Sequence, residues 1–114
     1  MAASVADGLV KNSTLRFLHM QGNAISSEGA VAIAKTLAHE GSVLQTLDLS
    51  ANGIADRGGV ALARSLEKNT TLTKLLLREN NLNDEAGEAL CSMIRRNEDL
   101  LRVDVERNSL KFRF

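Results

Sequence analysis

LQTLDLSANGI, at residues 44–54, decides the fold because the same pattern occurs three more times in the chain. The other copies are LRFLHMQGNAI at residues 15–25, LTKLLLRENNL at residues 72–82 and LLRVDVERNSL at residues 100–110. Consecutive copies begin 29, 28 and 28 positions apart. A fixed period in this range predicts a stack of similar units, each burying its apolar side against its neighbours.

The apolar period changes part-way along each copy. Leu47, Asp48 and Leu49 alternate between apolar and polar, which predicts a strand with one buried side. After Ile54 the apolar spacing becomes helical, so we predict one strand and one helix per unit. The helix residues predicted to face inward are Val31, Ala32, Ala34 and Leu37, then Val60, Ala61, Ala63 and Leu66, then Ala89, Leu90, Cys91 and Ile94.

Polar residues at fixed positions predict where the helices begin and end. The residues just before the helical segments are Ser27, Asp56 and Asp84. Their side-chain oxygens can accept hydrogen bonds from amides of the first helical turn, so we predict that they are N-caps. At the other ends stand Asn69, Asn97 and Gly41, residue types that tolerate the left-handed turn that stops a helix.

One asparagine recurs at the same position of every copy. The four are Asn23, Asn52, Asn80 and Asn108. An amide side chain can both donate to and accept from the backbone of a neighbouring loop. Stacking therefore predicts a ladder of buried amides, whose role is structural rather than catalytic.

These features together resemble the ribonuclease-inhibitor subfamily of leucine-rich repeat proteins. The resemblance rests on the 28–29 residue period, the LxxLxLxxNxL strand motif and the helix that follows it, over roughly residues 3–110. It implies a curved α/β solenoid with parallel strands on the concave face and helices on the convex face. Similar arrays occur in ribonuclease inhibitor, the Ran GTPase-activating protein, NOD-like receptors and tropomodulin-type actin cappers. Ribonuclease inhibitor is long and rich in cysteine, so its partner is not implied here.

We predict a single domain over residues 1–114. It consists of a partial repeat at 1–14, repeats at 15–43, 44–71 and 72–99, and a partial repeat at 100–114. Solenoids need polar caps at their ends to stay soluble, and neither end of this chain has a recognisable one. We therefore expect a fragment of a longer array, or a small protein whose ends are covered by another chain. Self-association through the uncapped ends is one form of the second alternative.

The resemblance places a protein partner on the concave face. Strand side chains alternate, so motif positions three, five and seven point away from the core. The predicted partner-binding residues are Phe17, Thr46, Lys74 and Arg102 in one row, His19, Asp48, Leu76 and Asp104 in the next, and Gln21, Ser50, Arg78 and Glu106 in the third. Phe17 and Leu76 are the apolar anchors among them. The alternative is that Phe17 only packs beside its neighbours, because single exposed apolar residues are common.

The composition argues against several other classes of function. The 14 basic and 14 acidic residues give a formal net charge of zero, and the only aromatic residues are three Phe. The chain therefore lacks both the basic excess and the aromatic residues for base stacking that nucleic-acid binding proteins use. No apolar run is long enough for a membrane span. A single cysteine without a signal peptide favours a reducing compartment, so we expect a cytoplasmic protein.

No residue pattern predicts catalysis, a cofactor or a metal site. His19 falls on a strand and His39 at the far end of a helix, so they should not meet around a metal. Cys91 occupies a predicted core position, and Gly58 with Gly59 lacks the flanking residues of a phosphate-binding loop. We therefore predict a non-enzymatic protein-interaction scaffold. The alternatives are a regulatory module of the GTPase-activating or actin-capping type, and a structural piece of a cytoskeletal or axonemal assembly.

Overall fold

Strands and helices alternate along residues 14–111, the part of the chain that the computed structural model describes. The elements are β1 (Phe17–His19), α1 (Ser26–Leu37), β2 (Thr46–Asp48), α2 (Ala55–Leu66), β3 (Lys74–Leu76), α3 (Asp84–Arg96) and β4 (Arg102–Asp104). The predicted first partial repeat falls almost wholly on residues 1–13, which lie outside the described residues. The exact repeat boundaries stay a prediction.

The four strands form one parallel sheet in the order β1-β2-β3-β4. The register places equivalent motif positions side by side: Phe17 pairs with Thr46, Thr46 with Lys74, and Lys74 with Arg102. Each connection from one strand to the next carries a helix, and α2 packs between α1 and α3. The predicted α/β solenoid of parallel strands and helices is confirmed.

The core lies between the sheet and the helices. Strand leucines such as Leu47 and Leu75 are fully buried, as are the helix residues Leu62 and Leu66. Burying a leucine side chain contributes about 1.5–3 kcal/mol, so the repeated leucines hold each strand against its helix. The strand residues between them point to the opposite face of the sheet.

The inward side of the helices was predicted only in part. Ala34, Leu37, Ala63, Leu66 and Leu90 are buried as predicted. Val60 and Ala61 are only half-buried, whereas Gly58, Gly59 and Leu62 are buried. The same holds for Val31 and Ala32 in α1 and for Ala89 in α3. The physical reason is close helix packing: a Cβ atom at Gly59 would lie 2.9 Å from the Cβ atom of Ala86 in α3. Helix contact through residues without a side chain leaves no apolar signal in the sequence.

The last described helix exposes residues whose counterparts are buried. Ile94 is 39% exposed, while the equivalent Leu66 is fully buried. Cys91 is half-buried, while the equivalent Ala63 is buried. The prediction that Ile94 and Cys91 belong to the core is therefore wrong. Their counterparts in α2 have α3 beside them, and no further helix follows α3 within residues 14–111.

The three predicted N-cap residues do not cap their own helices. The residues at the three N-cap positions are Ile25, Ile54 and Asn83, and none of them caps its helix with its side chain. Asp56 instead caps the next helix, because its Oδ1 accepts hydrogen bonds from the backbone amides of Asn83 at 2.8 Å and Ala86 at 3.2 Å. Ser27 donates from Oγ to the carbonyl of Ile54. Asp84 pairs through Oδ2 with Lys111 at 3.2 Å. These side chains join neighbouring repeats.

Replacing Asp56 with alanine should therefore destabilise the junction between α2 and α3. We expect a loss of about 1 kcal/mol in the free energy of unfolding, the usual cost of removing a helix cap. Asp56→Asn is the matched control, since its side-chain oxygen can still accept from Asn83 and Ala86. Urea unfolding of both variants measures the difference. Equal losses for the two substitutions would contradict the capping role.

The ends of the helices also differ from the prediction. Neither Asn69, Asn97 nor Gly41 has a positive φ, and Asn97 is extended with φ −93°. The asparagines work through their side chains instead. Asn69 donates from Nδ2 to the carbonyl of Leu37 at 2.9 Å, and Asn97 donates to that of Leu66 at 2.7 Å. Each asparagine thus binds the C-terminal end of the helix in the repeat before its own. Together the two form a second asparagine ladder.

Candidate functional site

The sheet presents one face away from the helices, which we call the concave face. It consists of the three rows predicted above, along β1 to β4 and the residues just after them. Phe17, His19 and Gln21 are exposed on its first strand, and Lys74 and Arg102 are exposed further along. Phe17 is 59% exposed and is the most exposed apolar side chain of these rows. Leu76, the second predicted anchor, is only half-buried rather than open.

Three residues of this face were predicted to be exposed but are buried. Thr46 is 8% exposed, Asp48 6% and Asp104 8%. Neighbouring strands of a sheet lie about 4.8 Å apart, so short side chains lie lower than the long side chains that flank them. The prediction of exposure was therefore wrong at these positions. They form the floor of the concave face.

A cluster of charges occupies the C-terminal part of the concave face. Arg78 lies 3.4 Å from the Oδ2 of Asp104 and 3.2 Å from a carboxylate oxygen of Glu106. Arg102 lies 3.6 Å from the same Oδ2 of Asp104. Beside this cluster Arg107 binds Glu79 at 2.8 Å. Exposed ion pairs contribute only about 0–1 kcal/mol each, so the cluster orders these side chains more than it stabilises the fold.

The two aspartates in the floor have different surroundings. In both, Oδ1 accepts a hydrogen bond from the backbone amide two residues later: Ser50 at 3.0 Å for Asp48, and Glu106 at 3.1 Å for Asp104. Asp104 has two arginines at its other oxygen. Asp48 has no ion pair with any residue from 14 to 111.

The asparagine ladder holds the loops that border this face. The Oδ1 of Asn52 accepts a hydrogen bond from the backbone amide of Asn23 at 2.7 Å, and the Oδ1 of Asn80 accepts one from the backbone amide of Asn52 at 2.9 Å. Asn108 accepts from Asn80 at 2.9 Å. Asn80 is completely buried, and its Nδ2 donates to the carbonyl of Leu49 at 2.9 Å. The predicted ladder of buried amides is confirmed for Asn52 and Asn80, whereas Asn108 is half-buried and Asn23 is exposed. It fixes the spacing between successive strands and so between the rows.

Sequence reasoning missed one exposed apolar residue. Leu101, just before β4, is 80% exposed. The equivalent positions carry Arg16, Gln45 and Thr73. The signal was present in the sequence, because a leucine stands where every other copy has a polar residue.

The candidate reactive residues lie apart from one another. His19 is on β1, and His39 lies beyond α1, where its Nδ1 accepts from the amide of Gly41 at 3.0 Å. Cys91 is a free thiol on α3. Within residues 14–111 no three His, Cys, Asp or Glu side chains come together in a way that could hold a metal ion.

Comparison with known families agrees with the geometry. The model of the leucine-rich repeat family matches residues 11–34, 42–63 and 68–91, which together make up more than half of the chain. The chain belongs to the leucine-rich repeat family. No curated protein sequence matches this leucine-rich repeat chain. None of its described helices has the length and apolar character needed to cross a bilayer.

Two solved structures are similar to the chain. Actin-binding site 2 of leiomodin-1 superimposes with a TM-score of 0.80 at 17% identity, over 97% of this chain and 62% of that chain. The C-terminal domain of tropomodulin from Caenorhabditis elegans gives a TM-score of 0.66 at 17% identity, over 91% of this chain and 81% of that chain. This chain thus spans less than two thirds of the leiomodin structure. At this identity the likeness concerns the fold.

Proposed function

We propose that this chain is a non-enzymatic protein-interaction module that binds a protein partner on its concave face. The observation that carries the proposal is Phe17, a large aromatic side chain with more than half of its surface exposed. The other residues of the three rows are polar, apart from the half-buried Leu76. Buried aromatic anchors surrounded by polar contacts dominate the energy of many protein interfaces. Stacked repeats also provide the extended surface that such binding needs. Binding inside the cell fits the single free cysteine.

We propose actin as the first partner to test, as an actin-capping or other cytoskeletal module. The support is the superposition on a structure described as an actin-binding site of leiomodin-1. The experiment measures the affinity of the chain for monomeric actin by fluorescence anisotropy. A dissociation constant in the micromolar range or below supports actin as the partner, and the absence of saturable binding contradicts it.

The binding face can be tested with the same assay. The double variant Phe17→Ala/Lys74→Ala removes an aromatic anchor and an exposed cation from the concave face. We expect binding to weaken by about tenfold or more, because truncating one anchor such as Phe17 costs about 2 kcal/mol or more and about 1.4 kcal/mol corresponds to tenfold. The matched control is Arg57→Ala/Arg64→Ala, which removes two exposed cations from α2. If the α2 double variant weakened binding more than the concave-face double variant did, the interface would lie on the helices.

A GTPase-activating function is the regulatory alternative. Such a module would supply an arginine to the nucleotide of its partner, together with residues that orient the attacking water. Arg78 is the candidate on this face, but it is paired with Asp104 and Glu106. This pairing weighs against the alternative. A GTP-turnover assay with Ran tests this function. Acceleration of GTP hydrolysis that is lost in Arg78→Ala would favour the GTPase-activating function over the interaction scaffold.

Self-association is a second candidate function, supported by the outer side of α3. Ile94 and Leu101 are exposed there and just after it, and Asp84 has a buried Oδ1 without a hydrogen-bond partner. The equivalent oxygen of Asp56 caps a neighbouring helix. We expect sedimentation to detect larger species as concentration rises, and Ile94→Glu to suppress them. A strict monomer at high concentration would contradict this proposal.

A further inference from the structure

We propose that Asp48 is a recognition site for an arginine side chain of the protein partner. The site lies on the floor of the concave face, where His19 is the direct neighbour on β1 and Phe17 is a diagonal neighbour. This inference rests on the proposed function, because it specifies the chemistry of a partner that binds the same face. It adds a specific contact that neither the fold nor the family determines.

The first observation is that half of the Asp48 carboxylate has no partner. Asp48 is 94% buried, given its 6% exposure, and its Oδ1 accepts from the amide of Ser50. Its Oδ2 makes no hydrogen bond or ion pair with any residue that the structure describes. Among those residues, Oδ1 of Asp84 is the only side-chain oxygen or nitrogen that is both fully enclosed and without a partner. Because the Oδ2 of Asp48 also lacks a partner, it cannot be fully enclosed. It therefore keeps an opening to solvent, through which a ligand can reach it.

The Asp48 carboxylate is mostly buried and reaches solvent through Oδ2. Taking a charge out of water has a cost that only pairing and hydrogen bonding offset. The cross-strand neighbours of Asp48 are His19 and Leu76, and no described cation lies within ion-pair distance. The carboxylate thus retains an unsatisfied capacity to accept a cation, on the face that is proposed to bind the partner.

The same chain demonstrates which cation fits this position. Asp104 lies in the same row as Asp48, two repeats later, and is buried to a similar extent. Its Oδ1 is bound in the same way, to the amide two residues later. Its Oδ2 is approached by the guanidinium groups of Arg78 and Arg102, at 3.4 and 3.6 Å. Asp48 therefore resembles Asp104 without its arginines, and we infer that the partner provides the missing one.

Phe17 explains why the ligand is an arginine. It pairs across the sheet with Thr46, two residues before Asp48, so it is a diagonal neighbour of the carboxylate, about 8 Å away between Cα atoms. A planar guanidinium can stack on an aromatic ring while it donates hydrogen bonds to a carboxylate. A single carboxylate would not hold a metal ion, which needs several ligands.

The test uses N-acetyl-arginine amide as the probe and N-acetyl-citrulline amide as its uncharged counterpart. NMR titration of the 15N-labelled chain follows the amide of Ser50, which is bound to Asp48. We expect arginine to shift this signal with a dissociation constant on the order of 1–10 mM, as befits one ion pair and one stacking contact. Citrulline should cause no comparable shift.

Two isosteric variants locate the site. Asp48→Asn keeps the acceptor for the Ser50 amide but removes the charge, so we expect arginine to bind at least about tenfold more weakly. Asp104→Asn is the matched control and should leave the Ser50 response unchanged. The melting temperature of Asp48→Asn should not fall, because the substitution removes an unpaired charge. A lower melting temperature together with an unchanged arginine response would assign Asp48 a structural role and overturn the proposal.

Other outcomes separate this inference from the proposed function. Equal shifts with citrulline, or arginine shifts centred on Glu106 in place of Ser50, overturn the Asp48 site while leaving partner binding on the concave face intact. Arginine binding at Asp48, combined with partner binding that is insensitive to Phe17→Ala/Lys74→Ala, overturns the proposed function and leaves the arginine site standing.

Discussion

Asn80→Ala should lower the free energy of unfolding by about 3–5 kcal/mol, which is among the largest effects expected from any single substitution in this chain. The Oδ1 of Asn80 accepts from the amides of Asn52 and Ile54, at 2.9 and 3.4 Å. Its Nδ2 donates to the carbonyls of Leu49 and Arg78. Alanine leaves the buried backbone amides of Asn52 and Ile54 without an acceptor, and each unpaired group costs about 1–3 kcal/mol. The carbonyls of Leu49 and Arg78 keep hydrogen bonds from Asn52 Nδ2 and from the amide of Ala51.

The matched control for Asn80→Ala is Asn23→Ala. Asn23 has the same position in the repeat motif, but it is exposed and its side chain donates only to the carbonyl of Gln21, at 3.2 Å. We expect a loss of about 0.5 kcal/mol or less, the usual range for surface substitutions. Urea unfolding monitored by circular dichroism gives both values. Similar losses for the two asparagines would refute the idea that the ladder stabilises the stack through its buried amides.

Gly59→Ala is expected to destabilise the chain by about 1–3 kcal/mol, although alanine favours a helix by about 1 kcal/mol over glycine. An added Cβ atom would lie 2.9 Å from the Cβ atom of Ala86 and 2.9 Å from Cδ2 of Leu82. The leucine methyl can move, but Ala86 is fixed to the backbone of α3, so the two helices must separate. Thermal unfolding of the variant gives the sign of the effect.

A double-mutant cycle tests the cause of that destabilisation. In Gly59→Ala/Ala86→Gly the Cβ atom moves from α3 to α2, and the close contact at this junction disappears. We expect a favourable coupling of about 1 kcal/mol between the two substitutions, since directly contacting residues depart from additivity. Additive losses would indicate that the helices are not limited by this contact.

The repeat, the strands and the asparagine ladder could be predicted because each is a periodic signal. Asn52 and Asn80 are the same residue type at the same position of consecutive motif copies, so stacking the repeats brings them into contact. The buried side of the helices could be predicted only in part. Gly58 and Gly59 contribute no apolar side chain, so the apolar pattern included the half-buried Val60 and missed the two buried glycines.

The capping residues illustrate a second limit. Asp56 is an ordinary N-cap residue type just before a helical segment, and local reasoning assigned it to its own helix. In the structure it binds amides of Asn83 and Ala86, which are 27 and 30 residues later. A sequence motif identifies a residue that can accept such hydrogen bonds, but the donor depends on how the repeats stack.

The sequence predicted which face of the sheet carries the candidate site, but not which side chains on that face are exposed and which are buried. Strand alternation placed Phe17, Asp48 and Asp104 correctly on the side of the sheet away from the core. It could not distinguish the exposed Phe17 from the buried aspartates, because burial there depends on the size of neighbouring side chains. Nor could it distinguish Asp48 from Asp104, although only Asp104 has arginines at its Oδ2.

Hydroxyl-radical footprinting of the chain, with and without saturating monomeric actin, shows whether the concave face binds the partner. Phe17 on the concave face and Ile94 on α3 are both exposed apolar residues, so both should be labelled in the free chain. We expect labelling of Phe17 to fall on binding while labelling of Ile94 stays unchanged. Protection of Ile94 with Phe17 still fully labelled would contradict it.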